Sequence, residues 1–339
     1  FRLDCSIELI NGCPLDRTID LSGAMLKQAD FSTFPGWGNF TGSGARLDGT
    51  LIAPDQLAYF AEAERAGPVI LAGGDLRAAV DPQETGLLMD AYAQAQQARD
   101  LPSFPCAAAA SPVETIICSE AGKDAELPQL DRHLAAAFAA ARQRGGDAIV
   151  AEQRRWLAQR NRCTDVPCIA GAYEARLAAL LPRTALPAGL SPGSAQLYIE
   201  QSLVLPEIDG LAGLTARISP VLVAASDQWI AVTAEPDGTL SVSGQSVGAN
   251  AHICSLDAQG LTMDPATGWY ALPAQGGRRV PVIRLIGETL EVFANGRPDY
   301  DEWPEIEHVS CGMRASFVRA ARIAADPETI AAVAQQWDN

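Results

Sequence analysis

The sequence has very little lysine and no long apolar run. Lysine occurs only at Lys27 and Lys123, and the formal net charge at pH 7 is −16. Nucleic acids and anionic lipids both require a basic surface, so neither is expected as a partner. No segment approaches the roughly 18 consecutive apolar residues that would predict a membrane span. The acidic charge either attracts a cationic partner over long range or only maintains solubility.

Metal-binding patterns are also missing. There is no C-x-x-C motif and no Cys/His group with zinc-ligand spacing, so we predict no metal site and no cofactor.

The sequence contains three histidines. His133 lies among alanines and is expected on a helix surface. His252 and His308 lie two and three residues before Cys254 and Cys311. If those cysteines pair, the rings are expected to pack around the disulfide; a metal site or a pH-sensitive pair is the alternative.

The eight cysteines form an even number and fall into local groups. The simplest pairing joins neighbours in the sequence: Cys5 with Cys13, Cys106 with Cys118, Cys163 with Cys168, and Cys254 with Cys311. Disulfides persist in oxidising compartments, so this pattern predicts a periplasmic or secreted protein. The sequence starts with Phe1 rather than Met, and we expect a processing boundary there. The alternative is a cytosolic protein with eight buried free thiols.

Residues 1–100 form the first predicted region. Apolar residues recur at every fifth position, a spacing typical of a pentapeptide-repeat β-helix in which these side chains point inward. The runs are Leu21, Leu26, Phe31; Leu47, Ile52, Leu57; and Leu71, Leu76. They are interrupted at residues 34–38 and 59–67 and are short for a solenoid, so an irregular fold is the alternative. Residues 86–98 then have a helical composition.

Residues 101–185 predict a small helical module. Apolar residues at helical spacing indicate a first helix over 127–141, which Gly145-Gly146 is expected to end. A second helix is predicted over about 147–161 and a third around residues 169–177.

In residues 194–325 apolar residues recur at every second position instead of at helical spacing. This alternation predicts short antiparallel strands. The alternating pairs are Leu197/Ile199, Ile230/Val232, Leu240/Val242, Ile283/Leu285 and Leu290/Val292, with a turn at Pro236-Asp237-Gly238. About eight such strands favour a sandwich or a small barrel. A C-terminal helix over 326–339 completes an α+β multidomain fold.

The helical module contains two close cysteine pairs and the string Q-x-x-W-L-x-x-R-x-x-C, which begins at Gln153. Further residues of the pattern are Ser111, Pro112, Glu114, Leu127, Leu130, Asp131, Leu134, Phe138, Tyr173 and Arg176. Over about residues 105–181 this pattern resembles the LprI-type lysozyme-inhibitor domain family. That family comprises small helical exported bacterial proteins, few of which are known to inhibit host lysozyme. The resemblance therefore implies a compartment and a fold more firmly than an activity.

The same residues have a structural interpretation of their own. The two disulfides would tie down the loop before the first helix and close the turn between the last two, and Trp156 would fill the core. Arg160 lies four residues beyond Trp156 on the same face, so we expect it to pair with Glu114 or Asp131. Contact of Arg160 with a protein partner is the alternative.

Residues 41–47 read T-G-S-G-A-R-L and resemble S-G-S-G-x-K-Y, the inhibitory loop of the membrane-bound inhibitors of C-type lysozyme. In that family a serine and a basic residue reach the carboxylates of the lysozyme cleft, and Ser43 and Arg46 match those positions. Thr41, Arg46 and Leu47 depart from the pattern, and the flanking sequence lacks the eight-strand barrel of that family. A glycine-rich turn is the alternative.

Residues 244–248 match G-x-S-x-G, with Ser246 in the position of a nucleophile. A nucleophile elbow needs a strand before the serine and a helix after it, whereas the residues that follow are strand-like. His308 follows the serine, but no Asp between them can be singled out. We therefore predict that the protein is not an enzyme.

Three functions follow from these patterns. The favoured one is an exported envelope protein that binds and inhibits lysozyme or another cationic peptidoglycan hydrolase, with Ser43, Arg46 and Arg160 as candidate contacts. The alternative is a non-catalytic envelope scaffold whose domains serve as interaction modules. A hydrolase that uses Ser246 is the third.

Overall fold

The computed structural model describes most of the chain. The described residues are 19–32, 40–99, 101–181, 186–187, 189–204, 212–248, 251–273, 279–293, 308–312 and 315–337. They belong to two compact units, one made of residues 1–96 and 202–226 and the other of residues 97–201 and 227–339. The fold is mixed α+β, as the sequence predicts.

The elements are numbered in chain order. The strands are β1 (Ile19–Asp20), β2 (Phe40–Thr41), β3 (Arg46–Leu47), β4 (Leu51–Ile52), β5 (Glu64–Arg65), β6 (Val69–Gly73), β7 (Leu76–Val80), β8 (Ala195–Glu200), β9 (Gln228–Ala234), β10 (Leu240–Val247), β11 (Ile253–Met263), β12 (Tyr270–Ala271), β13 (Pro281–Ile286), β14 (Thr289–Val292), β15 (Val309–Cys311) and β16 (Ala320–Ile323). The helices are α1 (Pro82–Arg99), α2 (Pro112–Ile117), α3 (Glu120–Asp124), α4 (Leu127–Arg160), α5 (Val166–Leu180), α6 (Ala212–Ala225) and α7 (Pro327–Trp337). Short 3-10 turns occur at Pro54–Phe60, Cys106–Ala108 and Gln201–Leu203.

The first unit contains stacked turns with parallel contacts. Three contacts join residues 21 positions apart: Ile19 with Phe40, Met25 with Arg46, and Asp30 with Leu51. The next contacts span fewer residues, since Arg46 also pairs with Glu64 and Leu51 with Ile70. The number of residues per turn is therefore not constant, and the pentapeptide-repeat interpretation stays a prediction.

Most apolar residues of the five-residue period lie in the core of this unit. Those that are buried are Leu26, Leu47, Ile52, Leu57 and Leu71. Leu76 is 46% exposed, so the expectation that it points inward is wrong. The reason is local: the chain turns at Gly73-Gly74 and continues as β7, which pairs antiparallel with β6. Gly74 has φ +51°, a left-handed conformation that favours glycine.

Helix α6 packs against β6 and β7, and the sequence interpretation missed it. Its residues fall inside the region that we assigned to strands. The helical signal is present, because Leu214, Ile218, Val221 and Leu222 follow helical spacing and all four are buried. The predicted helical stretch at residues 86–98 is confirmed by α1.

The helical module of the second unit contains α2 to α5. The two helices predicted over 127–141 and 147–161 form the single element α4, whose backbone leaves helical geometry at Gly146 (φ 56°, ψ −137°). The predicted glycine break is confirmed, because residues with non-helical geometry at this point separate two helical segments of α4. The segments come back together where the Tyr173 hydroxyl contacts both Asp131 of the first and Arg160 of the second. Ser111 caps α2 in a capping box with Glu114, and Asp165 caps α5.

The remaining strands of the second unit form an eight-stranded antiparallel barrel. Their order is β10-β9-β8-β16-β14-β13-β12-β11, and the barrel closes because β10 also pairs with β11. Strand β15 pairs with the first half of β11. The predicted sandwich or barrel is therefore a barrel, and the predicted turn at residues 236–238 connects β9 to β10. Helix α7 confirms the predicted C-terminal helix.

The helical module packs against the outer face of the barrel, and each of the two has a hydrophobic core of its own. Ile283 and Leu290 point into the barrel, as the alternation predicts. Ile286 of the same strand as Ile283 points outward and packs among the core residues of the helical module, such as Tyr173 and Leu177. One outer face of the barrel is therefore covered by helices and is not exposed to water.

Candidate functional site

Three of the four predicted disulfides are present. Cys106 is bonded to Cys118, Cys163 to Cys168, and Cys254 to Cys311. The first closes the loop before α2, the second joins the end of α4 to the start of α5, and the third joins β11 to β15 in register. Cys5 and Cys13 lie outside the described residues, so their pairing stays a prediction.

Arg160 lies inside the helical module and is only 4% exposed. Its guanidinium donates to the Tyr173 hydroxyl (3.0 Å) and lies 3.7 Å from a carboxylate oxygen of Glu114. The Tyr173 hydroxyl donates in turn to Asp131 (2.6 Å), and the arginine stacks near the Trp156 ring (5.7 Å to the ring centre). The predicted pairing with Glu114 is confirmed, and Asp131 is reached through Tyr173. These contacts give Arg160 a structural role, and a contact with a partner stays a prediction.

Ser43 and Arg46 are both exposed, on a turn of the first unit. Gly44 has φ +65°, and the Arg46 guanidinium lies 3.2 Å from the Glu64 carboxylate, a pair in which both side chains are at least half exposed. The turn thus has the geometry of the glycine-rich alternative. The eight-stranded barrel belongs to the other unit, so this string lies outside it. A role of Ser43 and Arg46 in binding stays a prediction.

Ser246 lies within β10 and is buried. Its hydroxyl donates to the Ser316 carbonyl (2.8 Å), and the next element along the chain is the strand β11. A nucleophile elbow has an exposed serine on a strand-to-helix turn, which differs from this arrangement.

The Cys254–Cys311 disulfide brings together the segments that carry His252 and His308. His308 is 8% exposed, and burial lowers its pKa to about 4, whereas His252 is exposed. Within the described residues, no group of three or more His, Cys, Asp or Glu side chains has the geometry of a metal site. The packing interpretation therefore fits His308 best.

A buried ion network joins the barrel to the helical module, and the sequence interpretation missed it. Arg284 on β13 is 1% exposed and contacts Glu291 on β14 and Glu174 on α5. The guanidinium also lies 4.8 Å from the centre of the Trp269 ring. Burial alone would lower the pKa of Arg284, but the two carboxylates outweigh burial and raise it. Arg284 therefore stays charged inside the protein.

The same network includes Arg319 and His133. Arg319 contacts Glu291 (2.8 Å) and Glu126 (3.2 Å), and His133 Nδ1 lies 3.9 Å from Glu291. Burial would raise the pKa of Glu291, but Arg284 and Arg319 lower it to about 2. Burial and then Arg319 lower the pKa of His133 to about 4. The expectation that His133 lies on the surface is wrong, because the barrel covers that face of α4.

An open cleft of about 650 Å³ lies on the outer face of β9, β10 and β11. We call it the barrel cleft and define it by its polar lining residues Glu235, Asp237, Ser241, Ser243, Asp257 and Gln259. Ser243 and Asp257 are in register across β10 and β11. The register shifts opposite Leu240–Val242, where β11 carries an additional residue and Gly260 has φ +70°. Such bulges redirect neighbouring side chains and are frequent beside functional sites.

The barrel cleft is acidic. Three carboxylates line it, and no lysine, arginine or histidine is found among the described residues of its lining. Glu235 and Asp257 have no ion-pair partner in the part of the chain that the structure describes. Asp237 accepts hydrogen bonds from the Thr239 amide (2.9 Å) and hydroxyl (2.8 Å), which lower its pKa. The described part of the cleft therefore offers hydrogen-bond acceptors and carboxylates without a described cationic partner.

The described architecture is that of an eight-stranded antiparallel barrel carrying a disulfide-bonded helical module. None of the helices among the described residues combines the length and apolarity needed to cross a bilayer. Comparisons with family models, with curated proteins and with solved structures gave no significant match.

Proposed function

We propose that this protein is a bacterial envelope protein, periplasmic or secreted, that binds and inhibits a cationic peptidoglycan hydrolase such as a C-type lysozyme. The observation that carries the proposal is a net charge of −16 on a chain that is cross-linked by local disulfides. Disulfides are typical of oxidising compartments, where lysozymes act. A large negative charge accelerates association with a cationic protein and favours it over neutral competitors.

The helical module adds support. Its paired cysteines, its Trp156–Arg160 contact and its capped helices are consistent with the LprI-type resemblance of residues 105–181. The exposed turn at Ser43 and Arg46 is a second candidate contact, although Glu64 neutralises the arginine in the free protein.

The test is a lysis assay with a C-type lysozyme and a peptidoglycan suspension. The oxidised full chain is added from nanomolar to ten micromolar concentration, and serum albumin, another acidic protein, is the control for unspecific charge effects. We expect a loss of lytic activity with this chain alone, and weaker binding as salt is raised from 50 to 300 mM. Undiminished lysis at ten micromolar chain would show that the inhibitor proposal is wrong. Binding by calorimetry without loss of lysis would favour the scaffold instead.

A further inference from the structure

We propose that Cys163–Cys168 is a site of thiol–disulfide exchange, at which a dithiol reduces the bond while the helical module stays folded. This reactivity is separate from the proposed inhibition of a hydrolase. Three features of the bond carry the inference: the short loop that it closes, the exposure of one of its two cysteines, and the contacts that join the same two helices without it.

The first feature is the length of the closed loop. Cys163 and Cys168 are five residues apart, whereas the other two described disulfides join cysteines 12 and 57 residues apart. In the chain-entropy model, a bond that closes a shorter loop contributes less to the stability of the folded state. The folded protein therefore resists the opening of Cys163–Cys168 least, and we expect this bond to have the highest reduction potential of the three.

The second feature is the unequal exposure of the two cysteines. Cys168 is exposed, in the first turn of α5, whereas Cys163 is 8% exposed and belongs to the hydrophobic core of the helical module. Thr164, Asp165 and Pro167, which lie between them in the sequence, are exposed as well. A thiolate from solution therefore approaches the bond from the Cys168 side, and Cys163 is the leaving group.

The third feature is that other contacts hold α4 against α5. The Trp156 indole donates to the Ala172 carbonyl (3.1 Å), and its ring packs edge-on against the Tyr173 ring, with 5.3 Å between the ring centres. Arg176 Nε donates to the Gln153 side chain (2.9 Å). All of these contacts lie outside the disulfide loop, so the two helices stay packed when the bond opens.

The exchange takes place in two steps. One thiolate of the dithiol attacks the Cys168 sulfur, which forms a mixed disulfide and releases Cys163 as a thiolate that takes a proton from water. The second thiol of the dithiol loses its proton and attacks the reagent's own sulfur in the mixed disulfide, which releases Cys168. Two electrons and two protons have then passed from the dithiol to the protein, and the dithiol has become a disulfide.

Graded reduction of the native full chain tests the order of opening. The oxidised chain is equilibrated in buffers of increasing ratio of reduced to oxidised dithiothreitol, quenched with acid and alkylated, and the alkylated cysteines are quantified by mass spectrometry. We expect Cys163–Cys168 to be half reduced at a ratio about threefold below that of Cys106–Cys118 and about thirtyfold below that of Cys254–Cys311. The far-ultraviolet circular dichroism should not change as Cys163–Cys168 opens.

Two results of this titration would overturn the inference. One is that another described disulfide opens first or at the same ratio. The other is that the helical circular dichroism is lost together with Cys163–Cys168, because the bond would then be needed for the fold.

The second arm identifies the attacked sulfur with a matched pair of variants. Cys163→Ser leaves the exposed Cys168 thiol, and Cys168→Ser leaves the buried Cys163 thiol. We expect the Cys168 thiol to form a mixed disulfide with oxidised glutathione about tenfold faster than the Cys163 thiol does, in variants that both keep the wild-type circular dichroism. Equal rates, or faster reaction of Cys163, would show that the exchange does not start at Cys168.

Discussion

Arg284 on β13 and Glu291 on β14 face each other in register, with Arg284 Nε 2.9 Å from a carboxylate oxygen of Glu291. Both side chains project from the outer face of the barrel, yet they are only 1% and 6% exposed. The helical module covers them, and Glu174 of α5 completes the contact. This ion network forms the polar part of the interface between the barrel and the helical module.

The first prediction concerns Glu291→Gln. The substitution leaves Arg284 and Arg319 buried with only part of their negative partners, which typically costs about 3–5 kcal/mol of unfolding free energy. Denaturant unfolding followed by tryptophan fluorescence measures this, since Trp156, Trp229 and Trp269 lie in the second unit. The control is Glu288→Gln, which removes an exposed pair with Arg322 and should cost less than about 1 kcal/mol. Equal costs for the two variants would contradict the buried network.

The second prediction concerns acid. The pKa values of His133 and His308 are lowered to about 4 in the folded protein, below the roughly 6.5 of an unperturbed histidine. Between these values the unfolded chain binds more protons, so folding stability falls as the pH decreases from about 6.5 to about 4. Each histidine contributes a slope of up to about 1.4 kcal/mol per pH unit. Glu291, with a pKa of about 2, extends the loss of stability below about pH 4.3.

Unfolding free energies at half-unit pH intervals check this prediction. His133→Gln should flatten the slope between pH 6.5 and 4 by up to one proton, and His308→Gln should do the same. The double variant should flatten it by the sum of the two effects. A wild-type slope in either single variant would show that its histidine does not resist protonation in the folded state.

The third prediction tests whether Arg160 stabilises the helical module or contacts a protein partner. Arg160→Met removes the contacts with Tyr173 and Glu114 inside the helical module, and we expect a loss of about 2 kcal/mol of unfolding free energy. Arg162→Met, at an exposed neighbouring position, should stay within about 0.5 kcal/mol of wild type. If Arg160→Met were as stable as Arg162→Met and instead abolished partner binding, Arg160 would be a contact residue.

The fourth prediction concerns how much each disulfide contributes to the free energy of unfolding. In the chain-entropy model a longer closed loop gives more stabilisation, so replacing both cysteines by alanine should cost about 2 kcal/mol at Cys163–Cys168 and about 4 kcal/mol at Cys254–Cys311. Denaturant unfolding of the two double variants measures which disulfide contributes more stability.

The pairing of Cys5 with Cys13 has its own test. Mass spectrometry of the unfolded, unreduced chain should find a peptide linked through Cys5 and Cys13. Free thiols there would contradict the fourth predicted pair.

The sequence predicts most of the helices and strands correctly. It does not predict which faces of these elements are buried by packing against other parts of the protein. Alternation places Ile283 and Leu290 inside the barrel, and Arg284 and Glu291 outside it, which is what the structure has. Alternation cannot say that the outer face is itself buried, because that depends on where the helical module packs. For this reason His133 and Arg284 have the pattern of surface residues and lie in a core.

The sequence does not predict the barrel cleft, for a related reason. Ser241 and Ser243, like Asp257 and Gln259, occupy the alternate polar positions of two strands, a pattern that any solvent-facing strand shows. Their proximity follows from the pairing of β10 with β11 and from the bulge near Gly260, and both depend on barrel closure. Helix α6 is different, since its spacing was readable and the strand-rich surroundings led to the wrong assignment.

Every described disulfide links cysteines that are consecutive in the sequence. When a chain is threaded N-terminus first into an oxidising compartment, each such bond can close as soon as its second sulfur arrives. Maturation would then require an oxidase but no reshuffling of wrongly joined pairs. The chain would acquire its covalent constraints in order of synthesis, before the barrel has all its strands.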